Sequence, residues 1–285
     1  MDDFEFLAVH TDDFITVVQL HHRERGNTLN LKIWSEIHDA FTFISHDPKT
    51  RVVILSGDGE HFCSGIDMND YKDFIYGEEK TKKEKNAEES RKFTARQSLA
   101  LRQRIECCQK SFTAIVQCPK PVIAAIHGQC IGGGMGIITA CDIRLAAQNA
   151  VFALKEIDIA MISDYGPLNR LPRLCKHSSW LRDVAFTGRK FDAMEALKHC
   201  VISTVYDSEK DLLGAAQKMA EVIAEKSPVA VQSAKLILNF ARDQKRKEVE
   251  KFANAVNMLN IQSEDVKESL KGVEDSEEKV EFDEY

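Results

Sequence analysis

The chain has 285 residues, 44% of them hydrophobic, enough for one large domain or a domain with an appendage. Its formal net charge of -7 argues against a general nucleic-acid or anionic-membrane binder, and no apolar run approaches the ~20 residues of a membrane span. Eight cysteines occur without a CxxC pair or zinc spacing, and Cys107 and Cys108 are adjacent, so reduced, buried thiols in an intracellular protein are expected.

Residues 14–20, FITVVQL, read as a strand rich in β-branched residues. In residues 31–45, Ile33, Ile37, Phe41 and Ile44 recur at helical spacing, which predicts an amphipathic helix. RVVILSG (51–57) is a short apolar run ending in glycine and predicts a buried strand; this βα alternation favours an α/β fold. Residues 72–92 carry seven Lys/Arg against six Asp/Glu, a nearly neutral balance that reads as a solvated helix or loop and not as a phosphate patch. A long helical pattern follows over 96–117 and stops near Pro119, before a second buried strand, PVIAAIHG (121–128).

IGGGMGIITACDI reads as a strand, a glycine turn and a helix. After residue 208 the pattern becomes helical: LLGAAQKMAEVIAEK, then VAVQSAKLILNFARDQ begun by Ser227 and Pro228, then 248–271. Seven acidic residues stand between 274 and 284 against one Lys, which predicts a frayed tail. The domain layout expected is a core over 1–208, a helical region over 209–271 and a disordered acidic tail over 272–285. The start MDDFEFLAVH resembles neither a signal nor a transit peptide, and EFDEY is not a peroxisomal address, so the termini alone imply a cytoplasmic placement.

Three stretches carry candidate chemistry. Gly132, Gly133 and Gly134 open a helix straight after a strand; such a turn lets backbone N–H groups approach an anion, or simply packs a strand against a helix. It is neither a dinucleotide fingerprint nor a P-loop. In FCSGIDM, Gly65 permits a tight turn that aims the Ile66 N–H into a pocket, or Asp67 merely caps the next helix. In KEIDIAMISDYG, Glu156 and Asp164 lie eight residues apart in an apolar run. If both face a closed pocket, each has a raised pKa and exchanges a proton near neutral pH. Alternatively Glu156 pairs with an Arg and Asp164 caps PLNRLPRL; Asp158, with the same parity, competes for the inward position.

Together, CPKPVIAAIHGQCIGGGMGIITACDIR, SGIDM, KEIDIAMISDYGPLNRLPRL and FTGRKFDAMEAL resemble the enoyl-CoA hydratase/isomerase (crotonase) superfamily, over roughly residues 5–270. Within it the likeness is greatest to the dienoyl-CoA isomerases, whose catalytic segment carries a Glu and then an Asp eight residues later. The resemblance implies an α/β spiral of repeated ββα units with a C-terminal α-helical trimerisation region, assembled as a homotrimer or homohexamer. It implies an acyl-CoA thioester substrate, no metal, no redox cofactor and no nucleic-acid partner, and it favours a mitochondrial or peroxisomal setting. Glu156 and Asp164 become the catalytic carboxylates, and the backbone N–H groups of Ile66 and Gly133 the oxyanion hole. Arg25, Ser64, Gly65, Asp67, Gly134 and Gly136 become substrate-binding positions.

One position departs from the family pattern. Three residues after the oxyanion-hole glycine the family has an acid, where this chain has Gly136. Losing that acid argues against hydration, which uses two glutamates around one water. The alternatives to a dienoyl-CoA isomerase are therefore a delta-3,delta-2-enoyl-CoA isomerase, a hydratase, and a catalytically weakened acyl-CoA binding protein.

Overall fold

The computed structural model describes residues 4–68, 70, 95–274 and 281–283. The Lys/Glu-rich stretch 72–92 lies outside the described residues.

The chain opens with a hairpin. Strand β1 (Leu7–Asp12) pairs antiparallel with β2 (Ile15–Leu20). Helix α1 (Leu31–His46) starts at Asn30, whose side chain accepts from Ile33 N at 2.8 Å, and buries Ile33, Ile37, Phe41 and Ile44 as the spacing predicts. Strand β3 (Val52–Gly57) is buried on both faces, which explains its unbroken apolar run. Helix α2 (Ala95–Gln117) packs on α1 and leads into β4 (Val122–Ile126) and β5 (Gln129–Ile131). Helix α3 (Gly133–Ala140) begins at the glycine turn and is followed by β6 (Ile143–Ala147) and β7 (Val151–Ala153).

Helices α4 (Pro167–Leu174) and α5 (Ser178–Thr187), strand β8 (Phe191–Asp192), helix α6 (Ala193–Lys198) and strand β9 (Thr204–Tyr206) complete the core path. The C-terminal helices are α7 (Glu209–Ala224), α8 (Pro228–Ala241), α9 (Arg246–Asn260) and α10 (Glu264–Glu274).

The strands form two sheets. The larger runs β1-β2-β3-β4-β6-β9, parallel from β2 onward; the smaller runs β5-β7-β8. The chain hops repeatedly from one to the other. From β3 it reaches Cys63, from β4 it reaches β5, and from β6 it reaches β7. On the small-sheet side these landings stack in parallel: Cys63 bridges Cys130, and β5 pairs with β7. Repetition of that hop produces the spiral, and it makes three successive segments leave the small sheet at one edge.

The large sheet is covered on both faces. One face joins α1, α2 and α3 in a core containing Phe41, Phe62, Phe112 and Phe152. The other face is covered by α7 through Leu212, Ala216, Ala220 and Ala224, set against Ile15, Val52, Ile54 and Ile123. Small residues four apart let α7, the first helix of the region expected over 209–271, lie close on this sheet face.

Two expectations change. The helix expected over 248–271 is two helices, broken at residues 261–263, where Ser263 followed by Glu264 and Asp265 is a helix-start signal. In the acidic tail, the carbonyls of Phe282 and Asp283 accept from Arg51, whose guanidinium also lies 4.0 Å over the Phe14 ring.

Candidate active site

The edge where successive turns leave the small sheet gathers the candidate residues. After Cys63 come Gly65 and Ile66; after β5 come Gly132 and Gly133; after β7 comes Glu156. Ligand sites at the carboxyl ends of parallel strands are a general outcome of such connections.

The backbone around Ile66 is fixed by a parallel bridge to Leu29. Leu29 N donates to Gly65 O at 2.7 Å, and Asp67 N donates to Leu29 O at 3.0 Å. In a parallel ladder this pattern turns the Ile66 N–H away from Leu29. Gly133 is the first residue of α3, so its N–H is one of the donors a helix start leaves without an intrahelical acceptor.

The glycine turn holds both neighbours close. A Cβ at Gly133 would stand 2.7 Å from Leu29 Cδ1 and 3.7 Å from Ile66 Cγ1. Gly132 adopts φ +51°, and a Cβ there would stand 3.3 Å from Glu156 Oε1. Two N–H groups and one carboxylate thus surround one turn that tolerates no side chains.

Glu156 and Asp158 part company. Glu156 opens a short 3₁₀ turn (Glu156–Ile159) and is 4% exposed, whereas Asp158 faces solvent and pairs with Lys155 Nζ at 2.7 Å. Among the described residues Glu156 has no ion pair, and its Oε2 has no hydrogen-bond partner. Burial raises its pKa, a hydrogen bond with the Ser163 side chain opposes that shift, and the charge of Asp164 adds to it.

Asp164 is half-buried and its pKa is likewise raised, by burial. Helix α4 is capped by Gly166 without a side-chain bond, so Asp164 does not cap it. Gln109 Nε2 donates to Asp164 O at 3.2 Å, tying this segment to α2. Beside it, Tyr165 meets Trp34 edge-on at 4.7 Å between ring centroids, and Phe112 meets Trp34 at 5.7 Å. A narrow slot lined by Leu29, Trp34, Ile66, Asp67 and Cys108 joins this wall to the glycine edge. Burial, then Cys107 and Asp164, push the Cys108 thiol up to about 12, so it stays protonated.

Position 136 faces the same wall. Gly136 lies one helical turn after Gly132, and a Cβ there would stand 3.2–3.5 Å from three atoms of the Phe112 ring. The side of the helix that position 136 faces is therefore apolar.

Other expected substrate positions find different neighbours. Arg25 Nη1 donates to Asp67 Oδ2 at 2.9 Å, and the Ser64 hydroxyl donates to the Gly26 carbonyl. Arg25, Ser64 and Asp67 thus knit one loop to the next, Asp67 accepting from Arg25. Gly134 faces away from the turn: a Cβ there would stand 3.0 Å from Cys63, so this glycine lets α3 press on the small sheet. Gly65 has φ +110°, which its turn requires. Sequence reasoning missed Leu29, Ser163, Gln109 and the Trp34–Phe112–Tyr165 wall. Only Trp34 gave any signal, by standing beside the predicted stripe of α1.

Similarity to known proteins matches this geometry. The family model for enoyl-CoA hydratase/isomerase matches residues 10–283. The human mitochondrial delta(3,5)-delta(2,4)-dienoyl-CoA isomerase is 39% identical over 264 residues, covering 92% of this chain and 76% of that protein. The peroxisomal enzyme of the same name from Arabidopsis thaliana is 35% identical, covering 93% and 92% respectively. A crystal structure of enoyl-CoA hydratase from Bacillus anthracis superposes with a TM-score of 0.84 at 26% identity, covering 99% of this chain and all of that one. With a spiral of this form and a match over nearly its whole length, the chain belongs to the enoyl-CoA hydratase/isomerase family.

Proposed function

We propose that this protein is an isomerase that converts 3,5-dienoyl-CoA to 2,4-dienoyl-CoA by carboxylate-mediated proton transfer. The observation that carries the reading is that Glu156, buried against the glycine turn, and Asp164, half-buried and close enough for its charge to act on Glu156, both have a raised pKa. Relatives that carry the dienoyl-CoA isomerase name across most of this chain support the reaction class.

Removing a proton α to a thioester creates an enolate that needs stabilisation. The N–H groups of Ile66 and Gly133 are the donors for its oxygen, and each such donor is typically worth ~10²–10³ in rate. In a 3,5-diene the negative charge spreads along the chain, so reprotonation occurs at C6. The reaction therefore asks for a base and an acid at two points along one acyl chain. Asp164 takes the C2 proton and Glu156, held protonated more readily by burial, delivers one to C6. The chemistry draws on no metal or redox cofactor, since coenzyme A belongs to the substrate.

Exposed Leu236, Leu238, Met258 and Leu259 on α8 and α9 support assembly into a homotrimer or homohexamer. Relatives named as mitochondrial and peroxisomal support an organellar setting. No described helix is long and apolar enough to cross a membrane.

A second reading, a 1,3-shift of a single double bond, needs only Glu156, the more deeply buried of the two carboxylates, and gives Asp164 no task. Ultraviolet absorbance separates the two. A 3,5-dienoyl-CoA should give a rapid rise at longer wavelength as the diene conjugates with the thioester. No rise on the diene, with turnover of a 3-enoyl-CoA, would overturn the first reading in favour of the second. Binding without turnover of either, or of a 2-enoyl-CoA, would leave an acyl-CoA binding protein.

A further inference from the structure

Behind the catalytic segment lies a second concentration of charge that the proton-transfer reading does not use. A cavity of about 210 Å³ opens between α2, α3, α4 and α8, lined by Thr113, Thr139, Asn169, Asn239, Arg170 and Arg242. Arg173 and Asp243 stand at the same cavity and neutralise each other at 2.7 Å. Lys235 and Asp142 form a further pair nearby, at 2.6 Å.

The remaining guanidinium groups have no such partner among the described residues. Arg170 Nη1 reaches only the carbonyls of Tyr165 at 3.4 Å and Gly136 at 3.5 Å. Arg144, adjoining the same region, donates to the carbonyls of Val201 and Cys141, both at 2.7 Å. Arg242 makes no ion pair. Carbonyls satisfy the N–H groups of half-buried Arg170 but leave its charge in place, which is costly, whereas Arg242 is exposed at the rim and the charge of Asp142 bears on Arg144. The arginines also oppose one another: Arg242 lowers the pKa of both Arg170 and Arg144, second to burial for Arg170. In a chain of net charge -7 this local excess of cations runs against the overall balance.

We propose that this cavity binds an oxyanion, a carboxylate or phosphate group held between Arg170 and Arg242. Guanidinium groups match the paired oxygens of both anions, and the surrounding threonine and asparagine side chains offer further donors. The group comes either from a dissolved small anion or from a carboxylate of a second copy of this chain.

Thermal unfolding of the whole protein, titrated with inorganic phosphate against sodium chloride at matched ionic strength, tests the proposal, with sedimentation to read assembly. For a dissolved anion, the wild-type midpoint rises with the logarithm of phosphate concentration beyond the chloride control. Arg242→Gln loses that rise and Arg242→Lys recovers part of it. For a carboxylate of a second copy, phosphate has no specific effect, while Arg242→Gln shifts the protein to smaller species and Arg242→Lys less so. Wild type and Arg242→Gln sharing one phosphate response and one assembly state would overturn the proposal.

Discussion

The glycine edge and the loop that carries the carboxylates solve opposite problems. At the edge, the groups proposed to work are backbone N–H donors, and the sequence contributes by leaving side chains out. Gly133 leaves no room for a Cβ beside Leu29, and the bridge through Leu29 fixes Ile66 by main-chain bonds alone. In the loop, the working groups are side chains, and the sequence contributes by burying charge. Glu156 sits buried with no ion pair among the described residues, two residues from an Asp158 that is exposed and paired. At the edge an added Cβ at Gly133 requires Leu29 to shift, whereas the loop carries groups whose burial disfavours their charged form.

The largest effects should come from the loop. Asp164→Asn and Glu156→Gln should each lower dienoyl turnover by about 10²–10⁴-fold, the usual worth of general acid–base catalysis, while acyl-CoA binding persists. Near-normal turnover in either variant would break the contrast between loop and edge. Gly133→Ala comes next. It forces Leu29 aside and displaces a donor, so kcat should fall about 10²–10³-fold. A fall confined to KM would mean that the Gly133 N–H binds ground state and transition state alike.

The third prediction concerns pH. Turnover requires ionised Asp164, so activity falls on the acid side as that carboxylate takes up its proton. Burial raises the pKa of Asp164, which places this acid limb above the ordinary Asp value of about 3.9. Gly136→Asp adds a like charge one turn from Gly132, where it must displace the Phe112 ring, and should move the limb further toward alkaline pH. An unchanged profile would show that position 136 does not face the carboxylates.

The smallest effect concerns stability. A carboxylate with a raised pKa in the folded state destabilises the fold increasingly as pH climbs through its unfolded value of about 4.3, and fully above its folded value. Glu156→Gln removes that effect. It should raise the melting temperature at neutral pH and lose the advantage as pH falls below about 4.

Much of the glycine edge was legible in the sequence, because strand–glycine–helix patterns report local backbone geometry. Ile66 and Gly133 fall beside each other across that turn. The carboxylate loop was less legible. Glu156 and Asp158 share parity, but both stand in a short 3₁₀ turn, where alternation does not decide which faces inward. The Phe112 wall was not readable at all. It depends on the crossing of α2 over α3, a long-range contact that leaves no periodic trace in either segment. The pairing of Arg25 with Asp67 was hidden for the same reason, since the partners lie 42 residues apart.

The most direct test of the central claim follows the proton itself. A 3,5-dienoyl-CoA is converted in heavy water and the deuterium is located in the product by NMR. Two separate carboxylates, each free to exchange with solvent, predict deuterium at C6 for the wild type and conversion slowed about 10²–10⁴-fold in Asp164→Asn. Direct transfer of the C2 proton to C6 without exchange, or deuterium-labelled product from Asp164→Asn at the wild-type rate, would contradict the account.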